Sequence, residues 1–197
     1  MKKWLIPVII IAVLVFVGYK SVKSFYNTSV NLEENAKTAW SNVESAYQRR
    51  ADLIPNLVST VKGYAAHEKE TLEGVIKARA AATQTTIDPT NITPENMAAF
   101  QKAQEGLSGA LSRLLVTVEK YPDLKANQNF LELQSQLEGT ENRINVERNR
   151  YNGEVNLFNK HIKVFPNNII NNFFGNFEEM TRFEAAEGSE VAPTVQF

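Results

Sequence analysis

Residues 130–165 read FLELQSQLEGTENRINVERNRYNGEVNLFNKHIKVF. Through this stretch Phe130, Leu133, Leu137, Thr140, Ile144, Glu147, Tyr151, Val155, Phe158, Ile162 and Phe165 follow one another by threes and fours. A step averaging about 3.5 residues keeps one seam of an α-helix turned towards a partner helix along its whole length. It predicts packing near +20°, the geometry of helical bundles and coiled coils. No proline interrupts the run before Pro166, where a short amphipathic segment follows with Ile169, Ile170, Phe173, Phe174 and Phe177.

The same spacing recurs towards the N-terminus. Met97, Phe100, Gln104, Leu107, Leu111, Leu114, Val118 and Tyr121 form a second seam. It opens on Thr93-Pro94-Glu95, with Thr as N-cap, Pro at the first helical position and an acid in the first turn. Pro122 stops it, because proline disfavours helical geometry in the residue before it. The helix carrying the first-quoted seam then begins near Asp123 or Lys125. An earlier seam runs through Leu32, Ala36, Trp40, Val43, Tyr47, Arg50, Ile54, Leu57, Val61 and Tyr64, and Leu72, Val75, Ile76 and Arg79 extend it. It fades into AATQTTIDPTN, a turn-rich loop. Pro55 removes the backbone hydrogen bond to residue 51. Since the apolar register continues past it, a kink is expected there and not a chain reversal. A helix from Thr28 to Thr83 would exceed ~80 Å against ~40 Å for the second one, so part of it should overhang as a stalk.

Trp4–Tyr19, WLIPVIIIAVLVFVGY, is apolar throughout and is flanked by Lys2, Lys3 and Lys20. It spans roughly 24 Å, and extension through Ser21 and Val22 with Lys20 and Lys23 snorkelling reaches the ~30 Å of a hydrocarbon core. Trp4 and Tyr19 stand where interfacial aromatics stand. A cleaved signal peptide is the rival reading, but GYKSVKS offers no small-residue cleavage site. Residues 4–22 are therefore expected to contact membrane lipid as an uncleaved single-pass anchor in a bacterial inner membrane. The positive-inside balance leans slightly towards an internal N-terminus and an external bundle. The fold class expected is all-α: an N-terminal transmembrane helix, then an antiparallel helical bundle of three long helices, the first kinked at Pro55, plus a short C-terminal helix. Residues 1–26 form the anchor, 27–183 the bundle and 184–197, EAAEGSEVAPTVQF, an extended tail.

Charge and composition narrow the function. The net charge is −1, but the first 23 residues hold four lysines and no acid, leaving 17 basic against 22 acidic residues in the remainder. Such a body is a poor match for nucleic acid, which needs clustered cations. With no cysteine, thiol nucleophiles, disulfides and thiolate metal sites are excluded.

Two long runs carry a family resemblance. WSNVESAYQRRADLIPNLVSTVKGYAAHEKETLEGVIKAR (Trp40–Arg79) and LLVTVEKYPDLKANQNFLELQSQLEGTENRINVERNRYNGEVNLFNKHIKVFP (Leu114–Pro166) resemble the two halves of the LemA family of bacterial membrane proteins. The resemblance implies a membrane helix followed by an antiparallel bundle, and no established activity. Members often accompany membrane proteins of other families, which suggests a protein partner. Phe158 and Phe183 stand where tyrosine is more usual in the family.

The candidate site is a polar layer. Gln48-Arg49-Arg50-Ala51-Asp52 puts charges on the first helix, with Arg50 on its apolar seam; Glu141, Asn142, Arg143 and Glu147 do so near the middle of the last long helix. In antiparallel helices these groups could meet, with Arg50 and Glu147 as a testable pair. The layer reads as a buried ion-pair network that fixes register, as a binding groove, or as a catalytic centre. His67 in AHEKE lacks the second histidine of a metal-binding helix, and His161 is remote in sequence. No cofactor or metal is expected. The Asn-rich stretch 167–175 could cap the bundle or rest on the membrane surface. The leading expectation is a non-enzymatic, membrane-tethered interaction or scaffolding module. Its rivals are an enzyme or small-ligand binder that uses the polar layer, and a homo-oligomeric envelope protein.

Overall fold

The computed structural model describes residues 4–184. Helix α1 (Leu5–Tyr64) is continuous for 60 residues, ~90 Å. It is followed by α2 (Lys69–Gln84), α3 (Pro94–Val118), a single turn α4 (Pro122–Lys125), α5 (Gln128–Lys163), α6 (Asn167–Ile170) and a π-helical turn, Asn171–Gly175. No strand occurs among the described residues. The helix starts follow local chemistry. Thr93 accepts a hydrogen bond from the Asn96 amide while the Asn96 side chain returns one to the Thr93 N–H, and Pro94 occupies the first helical position. Asn127 caps α5 through the Phe130 N–H.

The principal correction concerns the first seam. The chain does not run on as one helix to Thr83. It reverses at Ala65–Glu68, ten residues beyond Pro55, and α2 folds back along α1. The register misleads because Ala65 and Leu72 are seven residues apart, two helical turns, so a hairpin and a continuous helix share one apolar period. Packing decides between them. Leu72, Val75 and Ala82 are buried against the α1 and α3 seams, which an overhanging helix would leave in water. Tyr121 donates to Glu68 at 2.9 Å and Asn127 donates to the Tyr64 hydroxyl at 2.9 Å, tying the turn to the α3–α5 connection.

The result is four helices running up, down, up, down: α1, α2, α3 and α5. Residues 25, 40 and 50 of α1 meet residues 161, 151 and 141 of α5, an antiparallel pairing. Since α2 and α3 are short, they accompany only the far half of α1. Nearer the N-terminus, α1 and α5 continue as a pair. Their exposed seam is covered by residues 176–184, an extended strap running antiparallel to α5. Two asparagines hold the strap by both backbone groups of one residue. Asn152 gives its amide N–H to Phe183 O at 3.0 Å and accepts from Phe183 N at 2.8 Å. Asn159 does the same to Met180, at 2.9 Å each way. The spacing is metric: seven helical residues advance ~10.5 Å and three extended residues ~10 Å. The remaining tail, 185–197, lies outside the described residues.

The core forms three successive clusters. Ile54, Leu57, Val61, Val75, Leu107, Leu114 and Phe130 pack at the far end. Trp40, Val43, Tyr47, Phe100, Ile144, Tyr151 and Phe183 fill the middle. Phe25, Phe158 and Ile162 close the N-terminal end. Phe158 and Phe183 are both buried. The stalk region before Trp40 is therefore partly clad: Phe25, Ser29, Ala36 and Ala39 are buried on α1.

Pro55 lies inside α1 without ending it. Its missing N–H leaves the Ala51 carbonyl with no donor four residues on, and the Arg79 Nε of α2 supplies one at 2.7 Å. Replacing Arg79 by Met should cost about 1–3 kcal/mol of stability, the penalty of a buried carbonyl left unmade. In a Pro55→Ala background, where the helix regains its own N–H, most of that cost should disappear. Thermal unfolding of the four proteins of this cycle checks it; equal Arg79→Met penalties in both backgrounds would refute the compensation.

Candidate functional site

Arg50 is 3% exposed and sits between the middle and far clusters. Its Nη1 donates to Glu141 at 2.7 Å on α5 and to Ser108 Oγ at 3.0 Å on α3. Its Nη2 donates to the Gln104 side-chain oxygen at 2.8 Å and the Gln104 carbonyl at 3.3 Å. Gln104 in turn donates to Ala82 O on α2 at 3.2 Å. One guanidinium thus links α1, α3 and α5, and through Gln104 reaches α2. The fork geometry suits arginine, whose planar donors serve several acceptors at once. The Tyr47 ring, 5.1 Å from the guanidinium carbon, covers one side. Burial is the main influence on the Tyr47 phenol and raises its pKa.

The other sequence-selected residues divide. Glu147 is buried but does not meet Arg50: its partner is Arg143, one turn back at 2.7 Å, and its Oε2 is buried without a partner. This corrects the expected Arg50–Glu147 pair. Glu147 lies beside Ile144 and Tyr151, and Glu141 is the α5 acid that stands opposite Arg50 in the antiparallel register. Arg49, Asp52, Asn142 and Arg143 are exposed. Arg49 and Asp52 of α1 and Arg143 of α5 line an open groove between the two helices, about 840 Å³, with Gln48, Thr140 and Gln136. Within it Gln48 donates to Asp52 at 2.7 Å. The structure brings Arg49, Asp52 and Arg143 to one surface and sends Arg50 to the interior, so the expected layer is two sites and not one.

Sequence spacing missed Ser108 and the α2 carbonyl of Ala82 as members of the Arg50 network. A polar residue at a seam position, Gln104, was the available signal. His67 lies in the exposed α1–α2 turn, whereas His161 stacks on Phe25 at 5.3 Å at the opposite end of the bundle. Among the described residues no group of three or more histidines or acids converges as a metal site. A half-open recess beside the middle cluster is small, about 70 Å³ between Glu44, Tyr47, Thr86, Phe100 and Gln104.

The model of the LemA family matches residues 39–197. The chain belongs to the LemA family. Two relatives of this LemA-family chain are Magnetosome protein MamQ 2 and Magnetosome protein MamQ 1 of Paramagnetospirillum magneticum. Each is 26% identical over 140 residues, covering 62% of this chain and 52% of the relative. The chain therefore spans about half the length of the curated relatives it matches. The family and these relatives point to a membrane-associated protein, and α1 supplies a candidate anchor: it is the one helix among the described residues long and apolar enough to cross a membrane, with its apolar window unburied. The family match begins at Ala39 and includes every residue of the Arg50 network.

Two predictions follow from the buried groups. Arg50→Met should destabilise the protein by about 3 kcal/mol or more, because several acceptors lose their donor at once. Its effect should add to that of Glu147→Gln within about 0.5 kcal/mol, since the two belong to different ion pairs; strong coupling in the double variant, read by thermal unfolding, would restore the Arg50–Glu147 pairing. Glu44 lines the small recess, and burial pushes its carboxyl above the ordinary 4.5. Because the folded carboxyl ionises at higher pH than the unfolded one, ionisation opposes folding. The penalty is absent below pH 4.5 and complete once pH has risen past the folded value. Glu44→Gln should raise the melting temperature at pH 7 and lose that advantage at pH 4.

Proposed function

We propose that this chain is a membrane-tethered helical scaffold that acts by binding other proteins and catalyses no reaction, at a bacterial inner membrane, with a single N-terminal span and its bundle on the outer side. The observation that carries this reading is the unbroken helix α1. One continuous 60-residue helix leads from an exposed apolar segment into the packed interior of the bundle. Such continuity holds the bundle close to the bilayer at a fixed distance, as a presenting platform requires. The buried ionic groups support the same reading. Arg50 is occupied on both terminal nitrogens by Gln104, Ser108 and Glu141, which are structural acceptors from the chain itself. The relatives are named for the magnetosome and not for a reaction.

The surface proposed to meet the partner is the groove of Arg49, Asp52 and Arg143 between α1 and α5. Its charges are exposed, so they can be changed without disturbing the Arg50 network. The groove also gives the second reading its footing, since an open polar cleft of about 840 Å³ could seat a small ligand. Homo-oligomerisation is the third.

Crosslinking in native membranes, followed by purification in mild detergent, separates them. A stoichiometric protein partner is expected, and its recovery should fall sharply in Arg49→Glu/Asp52→Lys, which leaves the Arg143–Glu147 pair intact, with the melting temperature unchanged. Crosslinks only between copies of this chain would replace the proposal with homo-oligomeric assembly. Repeated recovery of the protein alone would reject the interaction module.

A further inference from the structure

We infer that the segment Phe165–Phe174 is a second membrane contact, seated in the interfacial region of the bilayer beside the end of the anchor and held by apolar insertion. The inference rests on reading the apolar start of α1 as a membrane span. Four large side chains in this segment stand in the open: Phe165 is 79% exposed, Phe173 76%, Phe174 64% and Ile169 47%. An exposed apolar cluster of this size in a folded protein calls for an occupant.

The fold fixes both the position and the shape of the cluster. Pro166, Asn167 and Ile170 share one groove with Phe16, Val17 and Lys20 of α1. A hydrocarbon core of ~30 Å measured from Leu5 along a helix ends near residue 24. Because this groove runs from Phe16 to Thr28 of α1, the segment straddles the depth where acyl chains give way to headgroups. Its rings are not exposed through lack of order. Gly175 sits so tightly against Phe25 that a Cβ there would come within 2.9 Å of the ring. Asn171 binds the N–H and the carbonyl of Phe177 at 2.9 Å each, closing the turn. With the turn clamped on one side by α1, Phe173 and Phe174 can only project away from the bundle.

Chemistry selects the lipid and not a second protein as occupant. Val164–Phe177 contains no charged residue, and seven of its fourteen residues are asparagine, glycine or proline. Aromatic rings with neutral amides match the interfacial zone, which is apolar on one side and rich in hydrogen-bonding groups on the other. Lys20 and Lys23 stand on α1 at the same end, where long cationic side chains can reach headgroup phosphates. Without cations of its own, the segment should not depend on anionic lipid.

The chain has no native cysteine, so single nitroxide labels can be placed in the full-length protein reconstituted in phosphatidylcholine nanodiscs. Labels at Asn172→Cys, Val13→Cys and Val146→Cys report the segment, the anchor and the outer face of α5, through their relative collision with oxygen and a water-soluble nickel chelate. The oxygen-to-nickel ratio at residue 172 is expected to be several-fold above that at residue 146 and below that at residue 13. Adding Phe173→Ser and Phe174→Ser should return it to the value at residue 146, with helicity unchanged. A ratio at residue 172 equal to that at residue 146, while residue 13 stays lipid-like, overturns the inference and leaves the anchor standing. A ratio unaffected by the serine substitutions, or one that rises only when anionic lipid is added, also overturns it. An aqueous ratio at residue 13 removes the anchor reading and this inference with it.

Discussion

A single buried guanidinium sets the register of the bundle. Arg50 lies where the middle and far apolar clusters meet, and its donors end on α3 and α5. Leaving it unmatched would strand a charge in a low-dielectric interior, at a cost of several kcal/mol. Sliding α1 or α3 by one turn would break contacts with two partner helices, and sliding α5 would break the Arg50–Glu141 pair. Apolar seams repeating every three or four residues tolerate such slips, whereas a forked, directional group does not. The adjoining carbonyl of Ala51, released by Pro55 and taken by Arg79, extends the same control to α2. A helix-breaking residue is thereby converted into an interhelical tie.

The second constraint is unequal length. Helices α1 and α5 are 60 and 36 residues long, while α2 and α3 are 16 and 25. Two short helices cannot cover two long ones. The uncovered length is closed by an extended segment and not by a fifth helix. Extended chain covers about twice the distance per residue that a helix does, so the strap reaches from Phe177 to Glu184 with few residues. Its backbone groups would go unsatisfied against an apolar helix face. Asn152 and Asn159 supply a donor and an acceptor each, and the Tyr151 hydroxyl donates to Thr181 O at 2.7 Å. Aromatic packing of Phe183 on Trp40 and Tyr151 then fills the middle cluster.

These two devices bear on function through rigidity and placement. In the proposed scaffold role, a helix continuous from the apolar segment into the bundle would transmit position. The polar groups that first suggest a catalytic centre separate into an interior tie and an exposed groove. Of the two, the groove is the one whose charged groups all stand exposed. The aromatic turn beside residues 16–28 of α1 adds a second feature at the same end, which restrains the tilt of the rod if it lies on lipid.

The sequence by itself determined the helical class, the apolar N-terminal segment and most helix boundaries. These are local properties: a period of three and four, a Thr-Pro-Glu start, an uninterrupted apolar run. It also marked Arg50 and Gln104 as polar residues on apolar seams. Tertiary structure decided what local periodicity leaves degenerate. The reversal at Ala65–Glu68 preserves a heptad phase, so only the burial of Leu72, Val75 and Ala82 against α3 distinguishes a hairpin from a rod. The acid opposite Arg50 is Glu141 and not Glu147 because the antiparallel register, set by distant contacts, fixes which turn of α5 faces it. The roles of Asn152 and Asn159 depend on an extended segment more than twenty residues away in sequence, and no pattern within α5 announces it.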